Sequence, residues 1–139
     1  MAVPPSARWW LVPPALGCGP VAAAALYLGT TWLLDRACPP EDMVSGACIA
    51  DWYGPLDALA LALSAGAGSA LAVMLAGLAV PSHRRWVALA ALAAGTACAG
   101  YAWWEVGPDL RWVFASVVLA GVAGLVPAWR RGARVAGPG

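Results

Sequence analysis

Four stretches of the chain, residues 12–34, 58–80, 86–104 and 112–129, contain no Asp, Glu, Lys, Arg or His. Each is close to the ~20 residues that a helix needs to cross ~30 Å of hydrocarbon at ~1.5 Å per residue. Membrane β-strands are about half that length and alternate apolar with polar side chains. These runs are continuous mixtures of Ala, Leu, Val and Gly, so helices are the consistent reading. The pattern predicts an all-α polytopic membrane protein, with one domain over residues 1–139 and transmembrane helices at about 12–34, 55–80, 86–104 and 112–130. Between them lie an outer loop at 35–54, an inner loop at 81–85 and a second outer loop at 105–111, followed by a tail at 131–139.

Composition agrees: 62% of residues are hydrophobic and 11% charged, against about 25% charged in a soluble domain. A net charge of +1 gives no global attraction to nucleic acid. The position of the charges is more informative. Arg8, Arg84, Arg85, Arg130, Arg131 and Arg134 flank one set of helix ends, with no acid among them. Asp35, Glu41, Asp42, Asp51, Asp57, Glu105 and Asp109 flank the other set, against Arg36 and Arg111. Short loops rich in Arg stay in the cytoplasm, which puts both termini inside. Tryptophan favours the headgroup level. Trp9, Trp10, Trp86 and Trp129 fall at the expected inner boundaries, and Trp32, Trp52, Trp103, Trp104 and Trp112 at the outer ones. Every basic residue apart from His83 is Arg, which points to a GC-rich bacterial source and hence to a multi-pass protein of the bacterial inner (plasma) membrane.

Arg8 followed by an apolar run has the look of a signal peptide. The run is too long for a usual apolar region, and it lacks a convincing small-residue cleavage site before Asp35. The four cysteines divide by location. Cys38 and Cys48 share the first outer loop, where an oxidising compartment favours a disulfide; Cys18 and Cys98 fall inside helices one and three. Counted from the inner tryptophans, these two lie at depths of about 12 and 18 Å and act as packing residues. A redox role for Cys38 and Cys48 is the alternative. In topology alone the chain is similar to membrane disulfide-generating enzymes, but it lacks their Cys-x-x-Cys and a second cysteine pair in the other outer loop.

Small-x-x-x-small spacings recur at Ser64/Gly68, Gly66/Ala70, Thr96/Gly100 and Ala120/Gly124, and such pairs let membrane helices approach closely. Pro13 and Pro14 suit a helix start, whereas Pro20 bends the first helix. Within the runs the polar groups are hydroxyls, Thr30, Thr31, Ser64, Ser69, Thr96 and Ser116, together with Tyr27. Ion-coupled transporters keep an ionisable residue at mid-membrane; small multidrug exporters share this length and helix number but carry a membrane glutamate that is missing here. One histidine, His83, rules out a haem held by two histidines within one chain. It belongs with Arg84 and Arg85 in a cationic loop facing anionic lipid.

Polar and aromatic residues concentrate on the outer face. Asp51, Trp52 and Tyr53 lead into helix two, Tyr101, Trp104 and Glu105 leave helix three, and Arg111 opens helix four. An acidic site with an aromatic border would attract a cation or a basic partner segment. Structural roles compete with this. With Gly54 as N-cap and Pro55 as first helical residue, Asp57 would sit in the first turn and complement the helix dipole, and Glu105 would pair with Arg111. No nucleophile–base pair, phosphate loop or metal-ligand spacing is legible, so the expected cofactor set is empty. The expected function is a non-catalytic subunit or accessory of a membrane assembly. Its partners are the lipid bilayer and another membrane protein or a second copy, with no nucleic acid. The alternatives are a thiol-disulfide oxidoreductase using Cys38 and Cys48, and a channel or carrier formed by oligomerisation.

Overall fold

A computed structural model describes residues 9–80, 83–107 and 110–133. Four helices account for most of them: α1 (Val12–Ala37), α2 (Tyr53–Ala79), α3 (Arg84–Val106) and α4 (Arg111–Ala133). Between α1 and α2 lie a 3-10 turn (Pro40–Asp42) and a hairpin of β1 (Met43–Val44) and β2 (Ala47–Cys48). Three helical segments, Trp9–Ala37, Tyr53–Ala79 and Arg84–Val106, are long and apolar enough to cross a membrane. The apolar part of α4, Arg111–Pro127, is shorter, and α4 continues through Pro127, a position whose helix-breaking tendency the apolar pattern concealed.

The helices outrun the apolar runs at most ends. α1 continues to Ala37 and α2 begins at Tyr53, so the segment outside helices in the first outer loop is shorter than residues 35–54. The cause is that polar residues are as compatible with helix as apolar ones once the helix leaves the hydrocarbon: only the solvent changes. At ~1.5 Å per residue α1 and α2 are each about 40 Å long, beyond the ~30 Å of a bilayer core. α1 begins without a side-chain cap, but Pro13 and Pro14 have no N–H to leave unsatisfied in its first turn.

Contacts define the direction of each helix. Gly19 of α1 meets Gly68 and Ala72 of α2, while near the other end Tyr27 reaches Asp57; the two helices are antiparallel. Gly66 meets Ser116 and Gly124 meets Ala70, which makes α2 and α4 parallel. Leu92 touches Gly121, and Gly100 faces Phe114, so α3 and α4 are antiparallel. α2 is the central helix, with its largest interfaces against α4 and α1 and a smaller one against α3.

Burial is inverted relative to a soluble protein. The core cluster is Val73, Ala76, Ala88 and Ala91, and the largest fully buried side chains are valines, Val73 and Val80. All nine tryptophans are exposed, up to 86% for Trp104. Water would penalise that much exposed apolar surface; lipid does not. Small side chains inside and large ones outside are what close helix packing in a bilayer produces.

Candidate functional site

The outer-face residues singled out in the sequence divide into two groups. One lies where α1 and α2 meet. The Tyr53 hydroxyl donates to the Asp35 carboxylate at 2.5 Å, and the Tyr27 hydroxyl donates to Asp57 at 3.1 and 3.3 Å. Two tyrosine–carboxylate bonds, with donors on opposite helices, thus tie α1 to α2. Trp52 flanks this group, its ring 6.0 Å from that of Tyr53, and Asp51 is exposed beside it. Tyr27 and Asp35 belong to this cluster although sequence order gave them no such role: they are 30 and 18 residues from their partners.

Asp57 corrects one expectation. The helix starts at Tyr53 with Trp52 as N-cap, not at Pro55 with Gly54, so Asp57 lies beyond the first turn and binds a phenol instead of the free N–H groups of the helix end. It lies inside the membrane-length helix Tyr53–Ala79, as it did in the expected helix at 55–80. Asp57 is only half-buried, which places it at the polar end of that span.

The second group sits at the α3–α4 end. Tyr101, Trp104 and Glu105 are exposed, and Arg111 lies 5.5 Å from the centre of the Trp112 ring. The expected Glu105–Arg111 ion pair is not formed. Gly107 ends α3 at φ +110°, with its N–H on the Trp103 carbonyl at 2.9 Å, a conformation that a side chain would strain. α4 runs back antiparallel to α3, with Arg111 over its neighbouring indole. Among the described residues no hydrogen bond or ring contact joins the two groups into one vestibule; Asp109 lies outside them.

Cys38 and Cys48 are joined by a disulfide with their Cα atoms 6.1 Å apart. It closes the hairpin, in which Met43 pairs with Cys48 and Val44 with Ala47 across a turn at Ser45 and Gly46. Both turn residues have positive φ, 52° and 83°, the geometry that matches the twist of a two-residue hairpin. Cys38 is buried. Cys18 and Cys98, expected as packing residues, are instead free and exposed. Cys18 lies twenty residues before Cys38, about 30 Å along α1, too far to exchange with the bridge.

Most of the small-residue pairs are used within the chain. A Cβ on Gly68 would lie 2.6 Å from the Gly19 carbonyl oxygen, and one on Gly124 2.8 Å from that of Ala70. Ser69 donates to the Val117 carbonyl at 3.0 Å, a bond from α2 to α4. The remaining hydroxyls of the spans, on Thr30, Thr31, Ser64, Thr96 and Ser116, bond to carbonyls of their own helices. The face of α3 is different: a Cβ on Gly95 would meet nothing within 4 Å. Gly95 and Cys98 border a cleft of about 380 Å³ between α1 and α3, floored by Gly68, Ser69 and Ala72 of α2. Pro20 lines its other wall, with Leu16, whose carbonyl the proline leaves without its helical donor.

Among the described residues no three His, Cys, Asp or Glu side chains are grouped to hold a metal. Neither a protein family, nor a curated protein, nor a solved structure matches the chain.

Proposed function

We propose that the protein spans a bacterial plasma membrane four times, with both termini in the cytoplasm, and serves as a non-catalytic accessory of a membrane assembly. The arginine distribution supports the orientation. The alignment of α4 along the central α2, with Arg111 and Trp112 near one end and Trp129 and Arg130 near the other, supports a fourth crossing. The accessory role rests on one observation, the α1–α3 cleft. α1 joins the bundle through α2, and among the described residues a Cβ on Gly95 would meet nothing within 4 Å, which leaves the small face of α3 around Gly95 and Cys98 open to the cleft. A transmembrane helix of a partner protein packing along that face is the proposed occupant, since small residues permit the close approach on which helix association in lipid depends.

Cys98 provides the test, because it is free and borders the cleft. Thiol cross-linking in native membranes should give a Cys98-dependent adduct that is lost in Cys98→Ala. Gly95→Leu should fill the cleft and cut the adduct about fivefold or more, equivalent to an overpacking cost of ~1–3 kcal/mol, while the isolated chain keeps its helicity. Gly68→Leu should instead break the bundle itself. A lone monomer in mild detergent, with no Cys98 adduct in membranes, would overturn the accessory reading.

A further inference from the structure

We propose that the arginine end of the bundle is a binding surface for the headgroups of anionic phospholipids. Three segments converge there: the start of α1, the start of α3 and the end of α4. The Trp9 ring lies 5.9 Å from that of His83, and the Arg85 guanidinium lies 5.9 Å from the centre of the Trp129 ring. Arg84 and Arg85 open α3, and Arg130 lies in the last turn of α4. Every described carboxylate is at the opposite end of the bundle, so these guanidiniums have no acid beside them. The Nε of Arg84 is buried without a hydrogen-bond acceptor among the described residues.

Guanidinium groups left without a protein anion recognise phosphate oxygens well, through a planar fork of donors. What selects lipid over another phosphate is position. The exposed indoles of Trp9, Trp10, Trp86 and Trp129 lie at the same helix ends as the arginines, where indoles and lipid phosphates occupy the same layer. Several positive charges with none opposing favour a headgroup of net negative charge over a zwitterionic one. The surface depends on the apolar spans and is independent of the accessory role, so failure of one leaves the other standing.

The experiment uses the full chain extracted from bilayers of phosphatidylcholine and phosphatidylglycerol, with the retained lipids counted by native mass spectrometry. Phosphatidylglycerol should be retained over phosphatidylcholine. Replacing Arg84, Arg85 and Arg130 by Gln should lower that preference by about fivefold per arginine, whereas Arg36→Gln, at the other end, should leave it unchanged. If the triple variant does not fold, the wild-type preference still has to fall as ionic strength rises. Equal retention of the two lipids, a preference that survives the triple substitution or high salt, or displacement of the lipid by inorganic phosphate at comparable concentration would each overturn the proposal.

Discussion

Tyr27 shows how much one side chain can depend on a distant partner. In sequence it is an aromatic residue in an apolar run; in the fold its hydroxyl reaches the half-buried carboxylate of Asp57 on α2. A hydrogen bond to a charged acceptor contributes about 1.5–3 kcal/mol, with the lower end fitting a partly wet site. Tyr27→Phe should therefore destabilise the protein by about 1–2 kcal/mol, measured as a lowered midpoint of unfolding in a denaturing detergent titration. Tyr53→Phe, whose bond to Asp35 is exposed, should cost less. Equal midpoints for wild type and Tyr27→Phe would show that the bond contributes nothing. Ser45 and Gly46 illustrate a different dependence: the turn requires positive φ at both, and Ser45 adopts it without glycine's freedom from a Cβ clash.

At the scale of elements, the hairpin is the part least supported by its own packing. Its strands are two residues each, and their side chains are mostly exposed. A lone hairpin of this size is unstable in water, so its order depends on the bridge and on the two helices it connects. Closing a loop between residues ten apart contributes about 2.5–3 kcal/mol on the chain-entropy account. Replacing Cys38 and Cys48 by Ser should accelerate hydrogen exchange across residues 39–50 by one to two orders of magnitude, while the spans keep their protection. Unchanged exchange in that segment would mean that the helices alone order it. The helices have a separate logic. Gly19 and Gly68 remove the side chains that would hold α1 and α2 apart, and because α1 meets α3 so sparsely, that crossing carries most of its attachment.

For the whole molecule, the decisive property is the inversion of burial, with alanines and glycines inside and indoles outside. It makes sense only in a solvent as apolar as the side chains it touches. On the proposed four-crossing orientation, the arginine end and the carboxylate end face different aqueous phases. Single cysteines placed at Ser82 and at Ser45, on a background lacking the native four, should react oppositely with a membrane-impermeant thiol reagent applied to intact cells: Ser45→Cys labelled, Ser82→Cys protected until the membrane is permeabilised. Labelling of both from outside would overturn the four-crossing orientation.

Helix number, approximate position and the charge asymmetry were all legible in the chain, because an apolar run of ~20 residues and the placement of arginines are local properties that a bilayer reads residue by residue. The Cys38–Cys48 bridge was legible for a similar reason, since the two share one short loop. Which small residues would meet, that Asp57 would answer to Tyr27 and not to a helix end, and that Glu105 would leave Arg111 to Trp112 were decided only by the tertiary structure. Those outcomes depend on the rotation of each helix about its own axis. Hydropathy this uniform around a helix does not specify that angle; it is set when glycines of one helix find the backbone of another.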